Sequence, residues 1–215
     1  MKIINDIKSI NKIDYENTLK KYSDLLISLT EVDGIYTYGS KNINPGISDL
    51  DILITVNSKV SENFLSVYDK WREIGDYAGY IIKHPPLVCS NKSIKKVVLG
   101  FGFNLNTIYG KNYDSLRDVV IREHGEIWLE TLYWDYLSFM FNQLFSYVKS
   151  NREISKREFL YLIGSISHSL KYAISRENDS DINEVINTID LYRFNHNSLN
   201  YDDISEFSIK LFNSL

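Results

Sequence analysis

Apolar positions in the first half of the chain switch between two periods. Leu19, Tyr22, Leu25, Leu26 and Leu29 recur at spacings of three and four, which predicts a helix over Tyr15 to Thr30. Asp33-Gly34 reads as a turn, and Ile35-Tyr36-Thr37-Tyr38 as a short strand that stops at Gly39-Ser40. Asn44-Pro45-Gly46 marks a loop. Leu50 to Val56 is the best strand in the chain, and a helix is expected from about Ser61 to Ile74. Tyr80-Ile81-Ile82 reads as a strand ended by Pro85-Pro86. Lys95 to Asn104 fits a strand or a short helix, since periodicity does not separate the two in so short an apolar run. Thr107 to Gly110 reads as a strand and turn.

Beyond Gly110 the period is helical throughout. Helices are expected over Ser115–Glu123, Trp128–Val148, Lys156–Ser175, Ile182–Tyr192 and Ile204–Phe212. Phe139, Met140, Leu144, Phe145 and Val148 suit the buried seam of a bundle. The expected fold is therefore an α/β (α+β) domain with a short mixed sheet over residues 1–112, followed by an all-α helical bundle over 113–215.

Composition narrows the function classes. Hydrophobic residues make up 44% of the 215, as in a globular chain. Acidic residues (28) exceed basic ones (24), for a formal charge of −4. A protein that grips a nucleic-acid backbone shows a basic excess or stripe, so a polynucleotide partner is not expected. The one cysteine, Cys89, leaves no intramolecular disulfide and fits a reducing compartment. No apolar run approaches a membrane span, and the N-terminus lacks the apolar core of a signal peptide, so a cytoplasmic location is expected.

The chemistry concentrates in Tyr38-Gly39-Ser40 and Ser48-Asp49-Leu50-Asp51-Ile52. Alternate residues of a strand share a face, so Asp49 and Asp51 project together while Leu50 and Ile52 turn to the core. Two neighbouring carboxylates repel and resist shared burial unless a cation joins them. Hard oxygen donors suit Mg2+ or Mn2+, which commonly completes its shell with water and substrate phosphates. Gly39 permits unusual backbone angles and close ligand approach, and successive N–H groups in such a turn can cradle an anion. The Ser40 hydroxyl adds a donor for a phosphate oxygen.

This order of residues resembles the DNA-polymerase-β-like nucleotidyltransferase superfamily, its minimal and antibiotic-modifying members in particular. The signature there is a hydrophobic residue, Gly, then Gly or Ser, and later Asp-hydrophobic-Asp in a strand; Tyr38-Gly39-Ser40 and Asp49-Leu50-Asp51 match it. The resemblance covers roughly residues 15 to 75. It implies a nucleotidyltransferase-like fold, catalytic and metal-binding roles for Asp49 and Asp51, and a phosphate-binding role for Gly39 and Ser40. It also implies an NTP co-substrate, ATP foremost, and transfer of a nucleoside monophosphate to a hydroxyl of a small molecule such as an aminoglycoside-like antibiotic. A protein acceptor, as in toxin neutralisation, is the alternative, and a catalytically inactive nucleotide-binding module of the same fold is another. The family's third carboxylate, on a later strand, has no match here; Asp76 and Asp114 serve only if the strand assignments shift.

Each residue also has a plainer reading. Asp49 suits a loop ending, though Asp51 inside an apolar strand does not. Ser40 suits a helix cap. His84 reads as a solvated loop side chain, and Arg117, Asp118 and His124 as an exposed helix rather than an RNase motif. Trp128, Tyr133, Trp134, Tyr136 and Phe139 read first as core, and the aromatic-rich helix also offers a face to a second copy in a homodimer. Glu130 and Asp135 are candidates for a base contributed by the helical half.

Overall fold

A computed structural model describes residues 2–39, 43–57, 60–150, 152–173 and 180–196. The expected helix over Ile204–Phe212 lies outside the described residues. In chain order the elements are β1 (Lys2–Ile4), α1 (Lys12–Ile27), β2 (Val32–Tyr38), β3 (Asp51–Val56), α2 (Val60–Arg72), α3 (Gly75–Ile81) and β4 (Leu87–Ser90). They continue with α4 (Ile94–Phe101), β5 (Asn106–Tyr109), α5 (Leu116–His124), α6 (Glu126–Ser150), β6 (Glu153–Ser155), α7 (Lys156–Ala173) and α8 (Ser180–Phe194). The chain forms two compact units, one over Ser9–Glu126 and one combining Met1–Lys8 with Ile127–Leu215.

The Ser9–Glu126 unit is built on a four-stranded mixed sheet in the order β4-β3-β2-β5. β2 runs antiparallel to both β3 and β5, while β4 lies parallel to β3. A parallel neighbour needs a crossover, and α2 and α3 supply it. One face of the sheet presents Ile35, Ile52, Ile54 and Val56. Against it pack Tyr15, Tyr22 and Leu26 of α1, Val67 of α2, and Ala78 and Ile81 of α3. Each of these aliphatic side chains gains about 1.5–3 kcal/mol on leaving water, so this face carries the unit's main hydrophobic stabilisation.

Three expectations change. Tyr80 and Ile81 belong to a helix, not a strand. Ile74, Ala78, Ile81 and Ile82 are buried in the shared core at helical spacings, and that period outweighs the β-branched pair Ile81-Ile82. The strand of this region starts after Pro85-Pro86, at Leu87. Second, Asp33-Gly34 is not a turn but part of β2, at a register irregularity between Val32 and Gly34. Gly34 is needed there because the Tyr36 and Thr55 side chains occupy the space of a Cβ. Third, Lys95–Asn104 resolves into α4, which buries Ile94 and Val98 on one side.

The other unit holds α7 against α8. α7 buries Phe159, Leu160, Ile163, Ile166 and Leu170, and α8 buries Val185, Ile186 and Ile189. Asp190 of α8 accepts hydrogen bonds from Ser167 Oγ (3.2 Å) and Lys171 Nζ (2.7 Å) of α7. This unit is not wholly helical. β1 and β6 form a parallel pair, which three-residue strands far apart in sequence do not announce. Among the described residues no helix is long and apolar enough to cross a membrane.

Candidate active site

Asp51 opens β3 and Asp49 stands two residues before it, where the chain enters the sheet from the loop after β2. That loop is held by hydroxyls from two different helices. Tyr15 Oη of α1 donates to the Ser48 carbonyl (2.8 Å) and accepts from Gly46 N–H (3.1 Å). Tyr80 Oη of α3 donates to the Gly46 carbonyl (2.6 Å). Inside the loop, Asn44 N–H donates to Ser48 Oγ (2.9 Å) and Ser48 N–H to the Asn44 carbonyl (2.9 Å). Leu50 N–H donates to the Ile81 carbonyl (2.8 Å), which ties the carboxylate segment to the end of α3. Backbone groups that would otherwise need water are thus satisfied within the fold, and residues 44–50 are held in place.

The strand pairing joins the two halves of the motif. Tyr38 of β2 stands opposite Asp51 of β3, so their side chains rise on the same face. Gly39 follows with φ +92°, a conformation that disfavours every residue with a side chain. A Cβ on Gly39 would lie 3.4 Å from Asp51 Oδ2, so the turn and the carboxylate are in contact range. Ser40 lies outside the described residues.

The electrostatics are those of a crowded carboxylate pair. The Asp49 side chain is 8% exposed. Burial, and secondarily the charge of Asp49, pushes the Asp51 carboxyl from 3.8 up to about 7. A divalent cation would favour the charged form of Asp51, and hard oxygen donors suit Mg2+ or Mn2+. The two carboxylates are oxygen donors of the type such an ion takes.

Among the described residues no group of three His, Cys, Asp or Glu side chains is disposed to hold a metal. Asp114 accepts from Thr107 N–H (2.7 Å) and shapes the turn after β5. Asp76 falls in α3 rather than ahead of a strand. His84 is brought to the pair instead: its Nε2 lies 3.8 Å from Asp49 Oδ2, with the imidazole side chain 58% exposed. The parallel register of β4 explains this, because it carries the segment just before Leu87 alongside the entry to β3. A solvated loop histidine remains an accurate description, but one whose position is set by the sheet.

Arg117, Asp118 and His124 lie on α5. Glu130 and Asp135 lie on α6, within the other compact unit. Trp134, Tyr136 and Phe139 of that helix are exposed rather than core, while Leu129, Leu137, Met140 and Leu144 form its buried side. Large aromatics at helical spacing can line either side of a helix, and here the aliphatic side chains take the interior.

No protein-family model matches the chain, and no curated protein is significantly similar to it.

Proposed function

We propose that the protein is a metal-dependent nucleotidyltransferase that moves a nucleoside monophosphate from an NTP, ATP foremost, to a hydroxyl of a small molecule, with a protein acceptor as the nearest alternative. The observation that carries the proposal is the contact between the two halves of the motif. Asp51 lies within contact range of the left-handed Gly39, and burial together with the neighbouring Asp49 charge pushes its carboxyl up to about 7.

Asp49 and Asp51 would hold Mg2+ or Mn2+, and the ion when bound supplies charge stabilisation at the α-phosphate and the departing pyrophosphate. Gly39 would let the backbone approach the β- and γ-phosphates, and the Ser40 hydroxyl would serve as a donor to them. The acceptor oxygen attacks the α-phosphorus, and the bond from that phosphorus to the β-phosphate oxygen breaks. Pyrophosphate leaves, and the acceptor proton passes to a base. The formal net charge of −4 favours a cationic acceptor.

The test is mass spectrometry of acceptors incubated with the protein, ATP and Mg2+, with aminoglycosides and candidate proteins as separate arms. Gain of one nucleoside monophosphate on an acceptor, lost with Asp51→Asn, is the expected result. Binding of ATP with no adduct on any acceptor would instead favour a nucleotide-binding module without turnover.

A further inference from the structure

Beside the carboxylates stands a stack of three aromatic rings from well-separated parts of the sequence. Phe101 ends α4, and Gly102 follows in the left-handed conformation (φ 66°), its N–H bonded to the Val98 carbonyl (2.8 Å). This reversal folds Phe103 back onto Phe101, with centroids 5.1 Å apart and planes within 8°. The chain then runs into β5, which pairs with β2 through Thr37 and Asn106. The Phe103 ring is thereby set against Tyr38, at 4.0 Å between centroids and 23° between planes. Phe103 is the middle ring. Tyr38 is the inner end, directly across the sheet ladder from Asp51. Phe101 is the outer end and is 61% exposed.

Single exposed apolar side chains are ordinary on protein surfaces. A flat exposed ring backed by two others, in a row that starts at the residue before Gly39, is a more particular arrangement. Resting on the reading of Asp49 and Asp51 as a nucleotide site, we propose that this stack is the nucleobase platform, with the base laid on Phe101 while the triphosphate runs back along Tyr38 to the carboxylates. The rings are held by each other and by a glycine-capped helix end, so little ordering is needed when the base arrives. Every base has a π-face, and stacking of this kind tolerates any of them. The substrate class is thus a nucleoside triphosphate chosen by its phosphates and ring area, with purines ahead of pyrimidines.

The test is calorimetric titration of the full chain with Mg2+–ATP and, separately, with Mg2+–tripolyphosphate, which has the phosphates but no base. Phe101→Ala removes an exposed ring, and a thermal melt checks that it folds. It is expected to weaken ATP about tenfold and to leave tripolyphosphate unchanged, and Phe101→Trp is expected to restore ATP. Equal ATP affinity for Phe101→Ala and the wild type would overturn the platform, as would equal losses for both ligands. If the wild type binds neither ligand, or if Asp51→Asn binds tripolyphosphate as well as the wild type does, the nucleotide reading of the site itself fails and the platform falls with it.

Discussion

β3 sends alternate side chains to two faces of one sheet, and the two faces differ at the strand's first residue. Ile52, Ile54 and Val56 are buried in the apolar core under α1, α2 and α3. Asp51, Leu53 and Thr55 face the other way, where Leu53 and Thr55 are fully buried but Asp51 meets Asp49 and Gly39 and stands across the ladder from Tyr38. A six-residue strand thus carries both an ordinary core and, at its first position, one carboxylate of an electrostatically costly pair. The first face exists for stability. The second holds a carboxyl whose charged form burial and Asp49 disfavour, and that is the basis of the proposal that it is a site.

That comparison can be broken from either side. The largest effect is expected on chemistry: Asp51→Asn should lower nucleotidyl transfer by about 10³-fold in steady-state kinetics, as loss of a metal-ligating carboxylate does. The same substitution should act oppositely on stability. Folded Asp51 keeps its proton up to about pH 7, while the unfolded carboxyl releases it near 3.8. Between those values the native state binds the extra proton, so wild-type stability falls as pH rises through this window and remains lower above it. In chelator-treated protein at about pH 8, Asp51→Asn should therefore be the more stable by up to about 4 kcal/mol in urea titrations, with the gap closing at about pH 3. An Asn variant less stable at the higher pH would contradict the electrostatic account.

On the core face, Ile54→Ala should cost about 2–5 kcal/mol by chemical denaturation, with no pH dependence of this kind. Tyr80→Phe removes the hydroxyl that holds the Gly46 carbonyl. It should cost about 1 kcal/mol in the same assay and lower transfer modestly, because the loop that aims Asp49 loosens. If Tyr80→Phe left both unchanged, the loop would owe its shape to other contacts.

Much of this site was legible in the residues themselves. Alternation in Leu50-Asp51-Ile52 placed the carboxylates opposite the core, and the structure puts Leu50 and Ile52 in that core. Glycine at position 39 signalled a special backbone angle, and φ is +92°. What stayed hidden depends on long-range pairing. The Tyr15 and Tyr80 hydroxyls reach the loop from helices on either side of it in sequence. His84 arrives next to Asp49 only through the parallel register of β4. Tyr38, Phe103 and Phe101 meet because β5 pairs with β2, which no local period encodes. The α3 segment was legible in principle, since Ile74, Ala78 and Ile81 keep a helical period that the run Tyr80-Ile81-Ile82 obscured.

The most direct measurement is pyrophosphate release from ATP with Mg2+, across a panel of cationic small molecules and proteins, for the wild type and Asp51→Asn side by side. The account predicts acceptor-dependent release by the wild type that disappears when Mg2+ is chelated and when Asp51 is replaced. Equal release by the two proteins, or ATP bound with no release for any acceptor, would contradict it.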